Sequence, residues 1–378
     1  MVEIAQDKPY RELMQLFARH PIGCYESDTF IEILKFYYEP EEAHLAVHMG
    51  WELEPEEDIA KRAGVSLDEA ARLLTSMASK FFVRGIKRPD GVRVFRLPLI
   101  LPGLFEMPFV VRQPSPELDR LGDLWEKYFE EGWGREFNSG PIQLARALPG
   151  ITAPKEQVMP YEDAVAVVKQ ASFATINPCQ CRQAKRGCGD PMDVCILLGM
   201  GFYGGNVPGG KPVLDPAQMV SSPRSRIAPL DEVVEVLKQS EEAGLVHITM
   251  NAQGDPWLIC NCCRHACHAL RGITQLDIPH AVAPSSYWCA VDEDLCTGCW
   301  ACIDRCPVGA IEMKHSMTVE VDIELCLGCG VCTSICSPEA LRLEKRDADR
   351  ILTPVASEHE LFVMRGAAKN KPYPVHPH

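Results

Sequence analysis

Hydrophobic residues recur every three or four positions near the start of the chain, which is the spacing of an amphipathic helix with one buried face. The pattern predicts helices over residues 10–20 and 29–38. Their apolar positions are Leu13, Leu16, Phe17, Phe30, Ile33, Leu34 and Tyr37. We therefore expect the chain to open with scaffold helices that pack on a common core.

The segment that follows ends in two stretches of alternating apolar and polar residues around a turn. Residues 57–63 predict one helix and residues 67–80 a second, which begins after the capping residue Ser66. Residues 82–96 predict a β-hairpin. This order of helix, turn, helix and hairpin resembles the winged-helix domain. The resemblance implies DNA binding, and a protein-interaction or dimerisation module is the alternative.

Charge argues against nucleic acid as the partner of this module. The second helix carries Asp68, Glu69, Arg72 and Lys80, whose charges cancel, although the hairpin is basic. Base readout needs several Arg, Lys, Asn or Gln side chains on the recognition helix. The whole chain has 38 Lys and Arg against 52 Asp and Glu, a formal charge of −14. Because such a body repels nucleic acid, we expect a protein partner instead.

Helices and strands alternate in the middle of the chain. Residues 161–170 and 230–243 predict helices, and residues 172–176 and 245–250 predict the strands that follow them. Each of these helix–strand units leads towards a loop rich in cysteine. The arrangement predicts a small α/β domain whose strands deliver cysteines to neighbouring loops.

Cysteine is the residue type that decides the chemistry. The chain has 18 cysteines, and all except Cys24 lie between Cys179 and Cys336. The N-terminus has neither the basic start nor the apolar core of a secretory signal, and no apolar run approaches the length of a membrane span. We therefore expect a cytoplasmic protein, in which dense cysteines indicate metal ligation rather than disulfides.

The strongest signal is an internal repeat with a period of thirty residues. The cysteines of the two copies are Cys296, Cys299, Cys302 and Cys306, then Cys326, Cys329, Cys332 and Cys336. Each copy has the spacing C-x2-C-x2-C-x3-C, and residues 285–345 resemble the bacterial two-cluster ferredoxins. The resemblance implies two [4Fe–4S] clusters and one-electron transfer at low potential.

The resemblance also implies that the fourth cysteine of each run ligates the other cluster. It assigns one cluster to Cys296, Cys299, Cys302 and Cys336, and the other to Cys326, Cys329, Cys332 and Cys306. In the second copy Ser337 precedes the proline, which we interpret as a local change that leaves the ligands intact. Two zinc sites are the alternative, but zinc sites usually pair two distant C-x2-C units.

Eight further cysteines form two groups of four in the middle domain. The groups are Cys179, Cys181, Cys188 and Cys195, then Cys260, Cys262, Cys263 and Cys267. Because one [4Fe–4S] cluster needs four thiolates, we favour two further clusters. One cluster with ligands from both loops is an alternative, since adjacent Cys262 and Cys263 do not easily point into the same cluster. Structural zinc that uses His265 or His268 is the other.

Together the patterns predict an α+β multidomain protein. We assign a winged-helix-like domain to residues 1–97 and a Pro/Gly-rich linker with one helix to residues 98–160. A Cys-rich α/β domain then covers 161–284, a two-cluster ferredoxin-like domain 285–345, and a C-terminal tail 346–378. No acid–base or nucleophile constellation stands out.

We interpret the chain as an iron–sulfur electron-transfer protein or subunit that relays single electrons at low potential to a partner oxidoreductase. The main alternative is an iron–sulfur redox sensor whose winged-helix-like domain regulates transcription. A third hypothesis is a reductase whose middle-domain cluster leaves one coordination position open for a substrate.

Overall fold

The computed structural model describes residues 2–151, 153, 154, 158–199, 211, 212, 225–254 and 256–375. Its α-helices are α1 Val2–Arg19, α2 Asp28–Tyr37, α3 Pro40–Val47, α4 Glu56–Ala63, α5 Leu67–Ser79, α6 Met107–Val111, α7 Pro116–Tyr128, α8 Gly134–Asn138, α9 Ala164–Gln170, α10 Gln180–Lys185, α11 Leu230–Glu242, α12 His268–Thr274, α13 Ala301–Arg305 and α14 Glu358–Ala368. Its strands are β1 Glu54–Pro55, β2 Arg84–Lys87, β3 Arg93–Arg96, β4 Ala145–Ala147, β5 Ala174–Pro178, β6 Asp193–Leu198, β7 Lys211–Pro212, β8 Arg226–Ala228, β9 Val246–Met250, β10 Leu258–Cys262, β11 Val282–Ala283, β12 Tyr287–Val291, β13 Ile311–Met313, β14 Val319–Val321 and β15 Leu341–Lys345. None of the described helices has the length and apolar character that crossing a bilayer requires.

The N-terminal helices begin where the sequence predicts them. Ser27 caps α2 and Ser66 caps α5, each by accepting a hydrogen bond from a backbone N–H three residues further on. Strand β3 pairs with β1 on one side and with β2 on the other. The predicted order of helix, turn, helix and hairpin is therefore present, and its resemblance to a winged helix stays a prediction.

A seven-stranded sheet occupies the middle of the molecule, in the order β11-β4-β9-β10-β6-β5-β8. Strands β11 and β4 are parallel, and the other neighbours are antiparallel. Helices α9 and α11 cover one face, where Leu237 of α11 shares a buried cluster with Ile176 and Ile196 of the sheet. The other face carries Leu197, Leu258 and alternate cysteines, which belong to the same buried cluster as residues of α6, α7 and the N-terminal helices. The sheet thus lies between two helical layers.

The segments predicted as linker and tail also contribute to this core. Residues 98–160 contain α6, α7, α8 and strand β4, which pairs with β9 and β11 inside the sheet. Residues 346–378 contain α14, and its buried Arg365 donates hydrogen bonds to the carbonyl oxygens of Pro21 and Phe137. The two ends of the chain therefore pack together, and one hydrophobic cluster includes residues from Tyr10 to Val375.

Candidate iron–sulfur and metal centres

A small cavity in the C-terminal region is lined by four cysteines from both copies of the repeat. They are Cys296, Cys299, Cys302 and Cys336. This is the set that the ferredoxin resemblance implies for the first cluster, in which the last ligand comes from the other copy. Cys299 is exposed and Cys302 is buried, so one side of this cavity faces solvent.

A second cavity is lined by the complementary set. Its cysteines are Cys306, Cys326, Cys329 and Cys332. A fifth thiol, Cys289 on β12, also lines this cavity, and its Sγ atom lies 3.4 Å from Sγ of Cys332. Sequence reasoning missed Cys289 because it lies outside the repeat, where the position thirty residues later is Val319.

The backbone wraps closely around these sulfur atoms. Gly298 and Gly328 have φ angles of 65° and 63°, and a Cβ atom there would lie 2.3 and 2.0 Å from backbone oxygens. Only glycine fits both conditions. Backbone N–H groups also donate to Sγ of Cys306 at 3.2 Å and to Sγ of Cys326 at 3.4 Å. Such bonds stabilise thiolates that ligate iron.

Residues 295–340 match the family of 4Fe-4S dicluster domains. No curated protein matches the chain. We call residues 295–340 the dicluster segment. The family match supports [4Fe–4S] binding in this C-terminal region, and the two sets of four thiols fit that cofactor. A bound [4Fe–4S] cluster supplies one-electron redox chemistry at a potential set by hydrogen bonds, charge and solvent exposure.

The two cysteine loops of the middle domain meet at one edge of the large sheet. Cys179 directly follows β5, Cys195 lies near the start of β6, and Cys260 and Cys262 lie on β10. Strand β6 pairs with β5 on one side and with β10 on the other, both antiparallel. The ends of β5 and β10 therefore flank the start of β6. The two cysteine loops therefore lie close together, with β6 between the strands that lead into them.

A cavity of about 80 Å³ lies between this sheet edge, residues 101–106 and the helices α8, α10 and α12. Seven of the eight predicted middle-domain ligands line it: Cys179, Cys181, Cys195, Cys260, Cys262, Cys263 and Cys267. Apolar side chains such as Leu101, Phe137 and Ile248 form much of the remaining wall, together with the carboxyl group of Glu106. Both loops thus contribute to one cavity, and the two sequence groups do not enclose separate ones.

Hydrogen bonds between neighbouring thiols divide them into donors and acceptors. The bond from Cys181 lowers the pKa of Cys179 to about 7, and the same bond raises the pKa of Cys181. Bonds from Cys195 and Cys262 lower the pKa of Cys260. The acceptor in each pair is therefore biased towards the thiolate, which is the form that binds a metal ion.

A buried cation lies among these thiols. Arg182 is 1% exposed, and its guanidinium donates to the carbonyl oxygens of Pro191 at 2.6 Å and Asn261 at 2.8 Å. Burial alone would lower the pKa of Arg182, but the neighbouring Cys179 and Cys263 raise it above its usual value. No carboxylate in the described part of the chain forms an ion pair with it. A buried arginine surrounded by sulfur fits a centre whose cysteines are thiolates.

The adjacent residues Cys262 and Cys263 have different neighbours. Cys262 forms hydrogen bonds with Cys260 and Cys267 inside the cavity. Cys263 lies at the cavity wall, and its Sγ atom is 3.6 Å from Sγ of Cys188, the one predicted ligand that does not line the cavity. Because Cys262 faces the other cavity thiols and Cys263 faces Cys188, these two consecutive cysteines need not bind the same cluster.

Of the two histidines considered as zinc ligands, one lines the cavity and packs among aromatic rings. His268 is 1% exposed and packs against the aromatic rings of Phe105 and Phe129 at centroid distances of 4.7 and 5.0 Å. Burial lowers the pKa of His268, which favours the neutral imidazole. His265 is exposed and lies beside Cys188 and Cys263.

Arg264 connects the middle domain with the dicluster segment. Its Nη1 atom lies 3.4 Å from the carbonyl oxygen of Cys306 and 3.5 Å from that of Asp304. Arg264 directly follows Cys263 in the chain. It therefore links Cys263 of the middle domain to Cys306 of the second dicluster cavity. Arg305 adds a second connection through the carbonyl oxygens of Glu241 and Val331, at 3.1 and 3.3 Å.

Proposed function

We propose that the protein relays single electrons between a cluster in the middle domain and the two clusters of the dicluster segment. The dicluster segment and the many free cysteines support iron–sulfur electron transfer in general terms. The finer proposal rests on Arg264, whose hydrogen bond to the carbonyl oxygen of Cys306 connects the loop after Cys262 and Cys263 with the second dicluster cavity. Electron transfer between two centres requires such proximity.

The cavity in the middle domain suits one [4Fe–4S] cluster. Six thiols surround it without the Cys188 and Cys263 pair: Cys179, Cys181, Cys195, Cys260, Cys262 and Cys267. Four thiolates suffice for a cubane, and buried Arg182 balances part of their negative charge. We therefore favour one middle-domain cluster with ligands from both loops over two separate clusters.

In this relay the first dicluster cavity is the centre nearest to solvent. Beside exposed Cys299, the side chains of Leu295, Trp300 and Met317 are 48%, 53% and 59% exposed. Exposed aromatic and apolar side chains grouped at one place are typical of protein interfaces. We infer that a partner oxidoreductase docks at this surface and exchanges electrons there.

Anaerobic purification with iron and acid-labile sulfide analysis tests the relay. Three clusters correspond to about twelve irons per chain. The double variant Cys181→Ala and Cys262→Ala should lose about four irons and keep the EPR signals of the dicluster segment, which become narrower because a nearby paramagnetic centre is gone.

Cys24→Ala is the matched control, since the buried Cys24 thiol donates to the carbonyl oxygen of Met14 and lies outside both cysteine regions. It should leave iron and the EPR spectrum unchanged. A wild-type chain with native cysteines that holds only about eight irons would contradict the middle-domain cluster.

A further inference from the structure

Four side chains of mixed chemistry meet at the surface of the middle domain. They are Cys188, Asp190, Cys263 and His265. The first two belong to the loop between α10 and β6, and the last two to the loop between β10 and α12. One potential ligand atom from each side chain lies within 4.8 Å of every other. Two loops that are 75 residues apart in sequence thus converge on one point.

The separations resemble the edges of a tetrahedral metal site. Sγ of Cys188 lies 3.6 Å from Sγ of Cys263 and 3.0 Å from Oδ2 of Asp190. Nδ1 of His265 lies 3.7 Å from the same Oδ2 atom. Zinc bonds of about 2.3 Å to sulfur and 2.0 Å to nitrogen or oxygen give tetrahedral edges of roughly 3.3 to 3.8 Å. One ion fits between these atoms after small side-chain adjustments.

We propose that Cys188, Asp190, Cys263 and His265 bind one Zn²⁺ ion. Thiolate, imidazole and carboxylate are all ligands that zinc accepts, and four protein ligands without an open position are typical of a structural site. A [4Fe–4S] cluster is the less suitable occupant, because it is held by four thiolates and this set offers two. The carboxylate and the imidazole are the residues that distinguish the two cases.

A zinc ion in this position would hold two loops of the middle domain together. It joins the loop that follows α10 to the loop that follows β10, and the elements α10 and β10 present Cys181 and Cys262 to the cavity. Cys262 then serves the cavity and Cys263 the zinc ion, so each of the two consecutive cysteines has its own metal centre. This assignment stands independently of whether the cavity relays electrons.

Elemental analysis of the anaerobically purified full-length chain tests the proposal. We expect about one zinc per chain in addition to iron. His265→Ala should lose most of this zinc and retain the acid-labile sulfide. His280→Ala, which changes another exposed histidine of the same domain, is the control and should keep both.

Cobalt substitution provides a second readout that does not depend on the stability of a variant. Co²⁺ in the wild-type site should give the intense visible bands of a tetrahedral thiolate complex, and Cys188→Ser should weaken the charge-transfer band. Zinc that is unaffected by His265→Ala would overturn the proposal. So would the loss of a whole cluster's iron and sulfide from Asp190→Ala, because that result places a cluster in this site.

Discussion

Cys289 is a thiol that neither dicluster cavity needs as a ligand, yet it lies against one of them. It is 1% exposed, and its Sγ atom is 3.4 Å from Sγ of Cys332. When Cys332 binds iron as a thiolate it can only accept a hydrogen bond, so the thiol of Cys289 must be the donor. A hydrogen bond to a ligand sulfur stabilises the reduced cluster and raises its potential.

Cys289→Ala should therefore lower the midpoint potential of the second dicluster centre and leave its iron in place. One weak hydrogen bond is worth on the order of 0.5–1 kcal/mol, which corresponds to roughly 20–40 mV for a one-electron couple. An anaerobic redox titration followed by EPR measures the shift. Cys24→Ala removes an equally buried thiol elsewhere and should leave the potential unchanged. An unchanged potential in Cys289→Ala would show that the thiol only fills space.

At the scale of single residues, sequence identifies ligands whose spacing is local. The eight dicluster cysteines repeat with a fixed period, and the resemblance to two-cluster ferredoxins implies the same two sets of four thiols that line the two cavities. Arg264 could not be predicted, since its contact with Cys306 spans 42 residues and follows no motif. Asp190 could not be predicted either, and His265 is only one of two candidate zinc ligands, because only the fold brings their loops together.

Helices α7 and α10 pack so closely that one position between them must be glycine. A Cβ atom on Gly122 would lie 2.8 Å from the carbonyl oxygen of Ala184. Glu126 on the same helix strengthens the contact through Lys185 at 2.9 Å. Because Cys181 is part of α10, the position of α7 fixes the position of this cavity thiol.

Gly122→Ala should lower stability, although alanine is the better helix former by about 1 kcal/mol. The added methyl group pushes α10 away from α7, and overpacking of this kind costs about 1–3 kcal/mol. Denaturant unfolding and iron analysis measure the two consequences, lower stability and less iron in the middle domain. Arg120→Ala on the exposed side of α7 is the control. A more stable Gly122→Ala chain would mean that the two helices can separate without cost.

At the scale of elements, hydrophobic periodicity predicts the bounds of long helices but does not predict short strands. The helices α2, α5 and α11 lie within two residues of their predicted bounds because each carries its own apolar stripe. Strand β4 has three residues, and its partner in register, Met250 for Ala145, is more than a hundred residues away. Such a strand is specified by its neighbours, so a Pro/Gly-rich sequence around it predicts only a linker.

The basic hairpin of the N-terminal region uses much of its charge within the molecule. Arg93 pairs with Glu56 at 3.4 Å and donates to Thr75 Oγ1 at 2.8 Å. Arg88 pairs with Asp90 at 2.5 Å, and Arg84 is buried. The free edge of β2 is also occupied, because β7 pairs with it. These contacts leave little positive surface on a chain whose formal charge is −14.

We therefore expect only weak, non-specific binding to DNA. A fluorescence anisotropy titration at about 0.15 M salt, where exposed charges are screened beyond ~8 Å, is the measurement. Duplexes of unrelated sequence should bind alike. Sequence-specific binding well below micromolar, abolished by Arg84→Ala with Arg93→Ala, would instead favour the transcriptional sensor.

At the scale of the whole molecule, the sequence suggests consecutive domains, whereas the packing connects distant parts of the chain. Arg365 near the C-terminus reaches the carbonyl oxygens of Pro21 and Phe137. The continuous hydrophobic cluster from Tyr10 to Val375 likewise joins segments that composition separates. Linear patterns contain no information on such contacts, because each depends on two surfaces that form only after folding.

The close spacing of the thiols also determines which disulfides form when the protein loses its metal in air. After loss of metal, Cys188 and Cys263 at 3.6 Å, like Cys289 and Cys332 at 3.4 Å, need to approach by only about 1.5 Å to form a disulfide. Oxygen would then cross-link the emptied sites and block the return of metal until a reductant cleaves the bonds. Peptide mapping of the air-exposed chain should find these two disulfides. The distances between thiols in the native structure thus determine which cysteines oxidation joins.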